Sequence, residues 1–232
     1  MTESKTALVT GAGRGLGLEF ARQLIERGFT VLGTVRKPST ALTELGATEL
    51  GLDVADAEAI AAFGDAVRAH TDRIDLLVNN AGINSRGVPS EQANVRFGAL
   101  EPEGILRMVR INAIGPILVA QALVDLLGEG SKVVSISSWL GSIAEKSRGG
   151  NYGYCASKTT LNMMGRALAF DLRERGVASV VVNPGWVSTD MGGPNAKLTP
   201  AESVSGLLDV ADRITLEDAG KFLQWDGSEH AW

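Results

Sequence analysis

In the segment NYGYCASKTTLNMM, residues 151 to 164, Tyr154 and Lys158 stand four residues apart at the start of a stretch with helical character. That spacing puts both side chains on one helical face. A free phenol titrates near ~10, so a tyrosine that exchanges protons near neutrality needs a neighbour that stabilises phenolate, and an ammonium on the same face supplies one. A bare Tyr-x-x-x-Lys is also what a half-buried tyrosine beside a solvated lysine looks like, so the pair takes its meaning from its surroundings. A second candidate is TGAGRGLG, with Gly11, Arg14, Gly15, Leu16 and Gly17, which follows the first apolar run and leads into a helical pattern. Such glycines let the backbone turn tightly and approach a pyrophosphate, whose charge the free amides of the helix N-terminus favour. The alternative is a tight strand-to-helix turn without a ligand.

The residues after the next runs bear on which nucleotide fits. An NAD site usually places an acid at the end of the second strand, whereas an arginine accommodates a 2′-phosphate. This chain has GTVRKPS there, with Val35 and Arg36 and no acid. Arg14 could reach the same phosphate, and two guanidiniums give strong charge-assisted hydrogen bonds, so NADP(H) is expected over NAD(H). Asp53, followed by Val54, could accept from an adenine amino group or could cap the following helix. In NNAG, residues 79 to 82, Asn79 and Asn80 could hold neighbouring backbone while Ala81 and Gly82 leave room for a cofactor, or the stretch could be an Asn-rich turn.

These motifs need elements to hold them. Apolar runs rich in β-branched residues occur at 6–9, 29–35, 48–52, 74–78, 132–136, 177–182 and 221–225, most reading as strands buried on both faces. Leu16, Phe20 and Leu24 share one helical face, as do Ile60, Phe63 and Val67, and further helices are expected over about 104–127 and 154–174. In TPAES, Thr199 can cap, Pro200 takes the first helical position and Glu202 completes a capping box. Strand and helix alternate throughout, which predicts an α/β fold with a parallel sheet of about seven strands and helices on both faces. Residues 83–103 are too long for an ordinary connection and read as a functional loop or a loop with its own short helix.

A chain of 232 residues with 44% hydrophobic content fits one domain spanning 1–232. The net charge of −5, with no basic stripe, argues against nucleic acid and anionic membrane as partners. A small neutral or mildly charged ligand suits it better. The single cysteine, Cys155, allows no internal disulfide, and with only His70 and His230 no metal site is expected. These features fit a cytoplasmic setting. The start MTESKTALVT lacks the regions of a secretory signal, and no stretch of about 20 apolar residues is expected to span a membrane.

The motifs TGAGRGLG, NNAG, ISSWLG, YCASK and PGWVST, in that order over nearly the whole chain, resemble those of the short-chain dehydrogenase/reductase family. NPGWVSTDMGGPNA and the ending GKFLQWDGSEHAW look closest to its C-factor and sniffer-like carbonyl reductase branch. The resemblance implies a doubly wound Rossmann fold and a catalytic set of Asn112, Ser138, Tyr154 and Lys158. Ser138 would polarise and orient the substrate carbonyl, Tyr154 would protonate it, Lys158 would also hold a cofactor ribose, and Asn112 would bend a helix and hold a water in a proton relay from the lysine. Ser137 is the less favoured register for the serine, and a surface polar residue is the alternative for Asn112. The separation of 16 residues between Ser138 and Tyr154 exceeds the family's usual interval, with AEKSRGG absorbing the excess. Pro184, Gly185, Val187 and Thr189 would fix the nicotinamide. Tyr152 would line or close the substrate side.

The function implied is NADPH-dependent, reversible reduction of a ketone or aldehyde to an alcohol, with a substrate site made by loops 83–103, 139–151 and 186–200. Relatives often pair through the helices at 104–127 and 154–174, so a homo-oligomer, dimer or tetramer, is expected. Two other readings stay open. One is a nucleotide-binding signalling or regulatory protein with little turnover. The other is an epimerase or dehydratase, which the short stretch after the sixth strand disfavours.

Overall fold

The structure is a computed structural model and describes residues 4–232 of the chain, so the first three residues of the N-terminal segment read above lie outside it. Seven parallel strands form one sheet: β1 (Thr6–Val9), β2 (Thr30–Val35), β3 (Thr48–Gly51), β4 (Leu76–Asn79), β5 (Lys132–Ile136), β6 (Ala178–Asn183) and β7 (Phe222–Gln224). Their spatial order is β3-β2-β1-β4-β5-β6-β7, so the winding reverses between β1 and β4. Ligands bind beyond the carboxyl ends of strands at such a point. Each strand lies within two residues of its expected run. The interior strands are buried on both faces, but β3 is only half-buried, because as the last strand on its side it pairs with β2 alone.

The main helices are α1 (Gly15–Glu26), the short α2 (Thr40–Glu44), α3 (Ala57–Arg68), α4 (Pro102–Val109), α5 (Gly115–Ala122), α6 (Tyr152–Arg173) and α7 (Pro200–Arg213). Strand alternation divides the core into two layers. On one face Val9, Val78 and Val182 pack with Phe20 and Leu24 of α1 and Leu207 and Val210 of α7. On the other, Leu8, Leu77 and Val133 pack with Ile60 and Phe63 of α3, Ile111, Val119 of α5 and Leu172 of α6. This is the doubly wound Rossmann-type α/β fold in a single domain. The start of α7 carries the expected capping box, Thr199 Oγ1 accepting from Glu202 N at 3.2 Å and Glu202 accepting from Thr199 N at 2.8 Å.

The helix expected over 104–127 is not continuous. A π-helical turn, Arg110–Ile114, separates α4 from α5, and a short 3-10 turn at Val124–Leu126 follows. Contrary to the sequence expectation, Pro102–Ala122 reaches the length and apolar content of a membrane span, yet it is a core element that packs on α3 and α6 and is broken by the π turn. Residues 83–103 contain two 3-10 turns, Ser85–Gly87 and Ser90–Gln92, in place of a full helix.

Candidate active site

The loop after β1 is built to leave its amides open. Gly11 and Gly15 adopt φ of +67° and +56°, a region costly for other residues. A Cβ on Gly17 would lie 2.1 Å from the Gly11 carbonyl oxygen, so only glycine lets α1 start against that loop. Arg14 at the N-cap of α1 supplies no side-chain hydrogen bond to the helix amides, and no acid stands in the first turn. The positive end of α1 therefore faces the cleft uncompensated, which fits an anionic pyrophosphate. The loop is pinned from β4. Asn80 Nδ2 donates to the carbonyls of Thr10 (2.9 Å) and Gly11 (3.2 Å), and Thr10 Oγ1 accepts from the backbone of Asn80 and Ala81 at 3.0 Å each. The side chain of Asn80 is thus spent on holding the glycine loop. Thr10 was not singled out in the sequence, although it stands directly before the glycines.

The other cofactor candidates line the same end of the sheet. Val35 is buried at the end of β2 and Arg36 beyond it is exposed. Asp53 Oδ1 accepts from Ala55 N at 2.9 Å within its own turn, whereas the cap of α3 is Asp56, which accepts from Glu58 N and Ala59 N. The capping alternative for Asp53 is therefore wrong by one short turn. Val54 is buried, with its carbonyl against Gly115. After β6, Gly185 takes φ +78°, Pro184 O accepts from Ser203 Oγ at 2.7 Å, and Val187 bridges to Leu198. Thr189 Oγ1 accepts from Gly192 N at 3.1 Å, which folds this loop over the cleft. Arg14 reaches it, pairing with Asp190 at 2.9 Å, and Arg86 donates to Asp190 O at 3.1 Å.

Ser138, Tyr154, Lys158 and Asn112 come together beyond the ends of β4 and β5. Gly150 (φ +83°) and Asn151 (φ +53°) turn the chain sharply into α6, and Asn tolerates that left-handed region better than most side chains. Tyr154 and Lys158 then share a face, with Nζ 5.9 Å from the ring centroid. Lys158 is buried and donates to Ile136 O at 2.7 Å. Ser138 is buried, with its hydroxyl beside the Tyr154 phenol, while Ser137 turns away to donate to Asn162 Oδ1 at 2.5 Å. The geometry thus separates the two serines.

Asn112 is fully buried in the π turn, so the surface alternative does not hold. Its Oδ1 accepts from Ile83 N (2.8 Å), and its Nδ2 donates to Ile83 O (2.7 Å) and Ser157 Oγ (2.9 Å). Ser157 in turn donates to Tyr154 O at 2.7 Å. Ser157 was missed in the sequence although it lies within YCASK, three residues after Tyr154. A Cβ on Gly82 would sit 3.2 Å from Asn112 Oδ1 and 3.7 Å from Lys158 Nζ, so this glycine keeps open the gap beside the amine.

Burial governs both titrating groups. It pushes the Tyr154 phenol up to about 12, opposed by the neighbouring Ser138 hydroxyl. It pulls the Lys158 amine down to about 7. The ammonium expected to depress the phenol is itself disfavoured here, because removal from water penalises its charge. Around the mouth, Trp139, Ile143, Trp186 and Met191 are exposed, and the Tyr152 ring lies tilted at 37° to that of Phe97, 6.4 Å between centroids. The Trp186 indole donates to Gly192 O at 2.8 Å, tying it to its own loop.

A glycine-lined cradle at the switch point of a doubly wound sheet, beside a Ser-Tyr-Lys cluster, defines an oxidoreductase of the dinucleotide-binding class. Residues 5–198 match the short chain dehydrogenase model, and the chain belongs to that family. It is 38% identical to the C-signal of Myxococcus xanthus over 164 residues, 70% of this chain and 95% of that protein. Among solved structures it resembles an NADPH-bound carbonyl reductase from chicken fatty liver, at 32% identity, TM-score 0.87 and 99% of both chains. It also resembles the carbonyl reductase Sniffer of D. melanogaster, at 28% identity, TM-score 0.88, 99% of this chain and 100% of that one.

Proposed function

We propose that this chain is an NADP(H)-dependent carbonyl reductase, converting a ketone or aldehyde to an alcohol and back, with Tyr154 as the general acid and base. The observation that carries the reading is the Ser138 hydroxyl beside the Tyr154 phenol, with Lys158 alongside and an open glycine cradle opposite. The cofactor, when bound, supplies the hydride to the carbonyl carbon. Gly11, Gly15, Leu16 and Gly17 would present backbone to its pyrophosphate, and Ala81 and Gly82 would leave it room. Asp53 and Val54 would flank its adenine, and Pro184, Gly185, Val187 and Thr189 would hold its carboxamide. Arg36, exposed beyond β2, would take a 2′-phosphate, joined by Arg14 once it leaves Asp190, which favours NADP(H).

Ser138 and Tyr154 hold the carbonyl oxygen between two hydroxyls, and Tyr154 delivers the proton. Its raised phenol keeps that proton in place at neutral pH, as an acid must. Lys158, whose amine burial pulls down to about 7, can return the proton, while Asn112 fixes the π turn and the Ile83 backbone around it. The apolar rings at the mouth and the absence of a basic stripe support a small-molecule substrate held by loops 83–103, 139–151 and 186–200. Exposed Leu106 and Met163 on α4 and α6 support a homo-oligomer, dimer or tetramer.

The test is NADPH oxidation against a panel of aldehydes, ketones and quinones, repeated with NADH. Tyr154→Phe should lower turnover by about 10²- to 10⁴-fold with NADPH affinity retained. An unchanged rate refutes the assignment. The relation to the C-signal keeps a nucleotide-binding signalling role as the second reading. Tight NADPH binding with no turnover across the panel would favour it.

A further inference from the structure

Ser138 sits in a short loop, and its place relative to Tyr154 is set by something outside that loop. Its own contacts are local: Oγ accepts from Leu140 N at 3.2 Å, and its carbonyl accepts from Gly141 N at 2.8 Å. These shape the turn without tying it to α6, the helix that carries Tyr154 and Lys158. The tie comes from Asn162, four residues beyond Lys158 on the same face, and buried. Its Oδ1 accepts from Ser137 Oγ at 2.5 Å and its Nδ2 donates to Gly141 O at 3.2 Å. Thr159 Oγ1 donates to the same carbonyl at 3.0 Å. One carboxamide therefore grips the chain on both sides of Ser138, and a Cβ on Gly141 would meet Asn162 Nδ2 at 3.1 Å and the Lys158 backbone at 3.0 Å. Among the described residues no hydrogen bond joins the Asn162 side chain to Tyr154 or Lys158.

We propose that Asn162 is a positioning residue that sets the Ser138 hydroxyl against the Tyr154 phenol by clamping Ser137 and Gly141 to the catalytic helix. The inference rests on the roles given above to Ser138 and Tyr154. A bridging carboxamide is suited to this, since it accepts and donates in one plane, and the buried Ser137 hydroxyl has no other side-chain partner among the described residues. Misplacement of a reacting group by about 1 Å costs on the order of 100-fold in rate.

The test follows 4-nitrobenzaldehyde reduction with NADPH by the full chain. Asn162→Ala is expected to lower kcat by about 10- to 100-fold, with the NADPH Kd unchanged. In a Ser138→Ala background the same substitution should lower kcat no further, because a residue that acts through Ser138 has nothing left to position. An equal loss in both backgrounds, a parallel weakening of NADPH, or an unchanged kcat overturns the proposal. If Asn162→Ala does not fold, Ser137→Ala, which removes only the donor to Oδ1, carries the same readouts. A Tyr154→Phe variant that keeps its rate overturns this inference together with the proposed function. An inactive Tyr154→Phe beside a fully active Asn162→Ala overturns this inference alone.

Discussion

The buried amine of Lys158 should make the protein less stable at neutral pH than it would be without it. Its amine falls from 10.5 to about 7 on folding, because burial penalises the charged form. Between those values the unfolded chain holds a proton that the folded chain refuses, so this group makes stability rise with pH from about 7 toward 10.5. At about 1.4 kcal/mol per pH unit, the amine costs roughly 4 kcal/mol at pH 7 and roughly 2 at pH 9. Lys158→Met keeps the length of the side chain and removes the charge, but strips Ile136 O of its donor. That loss is worth about 1–3 kcal/mol and does not vary with pH. The variant should therefore be the more stable protein at pH 7, inactive as a reductase, with an advantage that shrinks by about 2 kcal/mol by pH 9. Tyr154 does not blur the comparison, since its phenol, raised from 10.0 to about 12, stays protonated in both states over this range. Urea melts of both proteins at pH 7, 8 and 9 give the difference directly, because every other titration is shared and cancels. A constant difference across the series would refute the reasoning and mean that Nζ is hydrated with an ordinary affinity for its proton.

Two further changes probe separate links. Arg36→Ala should raise the NADPH Kd by about tenfold or more while leaving NADH affinity nearly intact, measured by fluorescence titration; equal weakening of both would remove Arg36 from the 2′-phosphate. Thr199→Ala breaks the capping box at the start of α7 and should cost about 1 kcal/mol in a urea melt with turnover unchanged; no loss would mean that Pro200 and the packing of α7 alone fix the helix start.

The sequence by itself determined the seven strands, the glycine loop, the pairing of Tyr154 with Lys158 and the box at Thr199. Each is written locally, as a run of β-branched residues, a glycine spacing, a helical interval or a cap with its partner three residues on. The family motifs also singled out Asn112 and Ser138, but not what they touch. The break of the long helix into α4 and α5 depends on Asn112 finding Ile83, 29 residues away in the chain. The choice of Ser138 over Ser137 depends on Asn162, 25 residues beyond Ser137. The state of the Tyr154–Lys158 pair is not legible in the spacing for a related reason. Spacing places two side chains on one face, but only the packing of α6 against the sheet decides whether water reaches them, and here its exclusion raises the phenol and lowers the amine. Local pattern sets which groups are available, whereas their partners and their protons are set by contacts and burial that exist only once the chain has closed on itself.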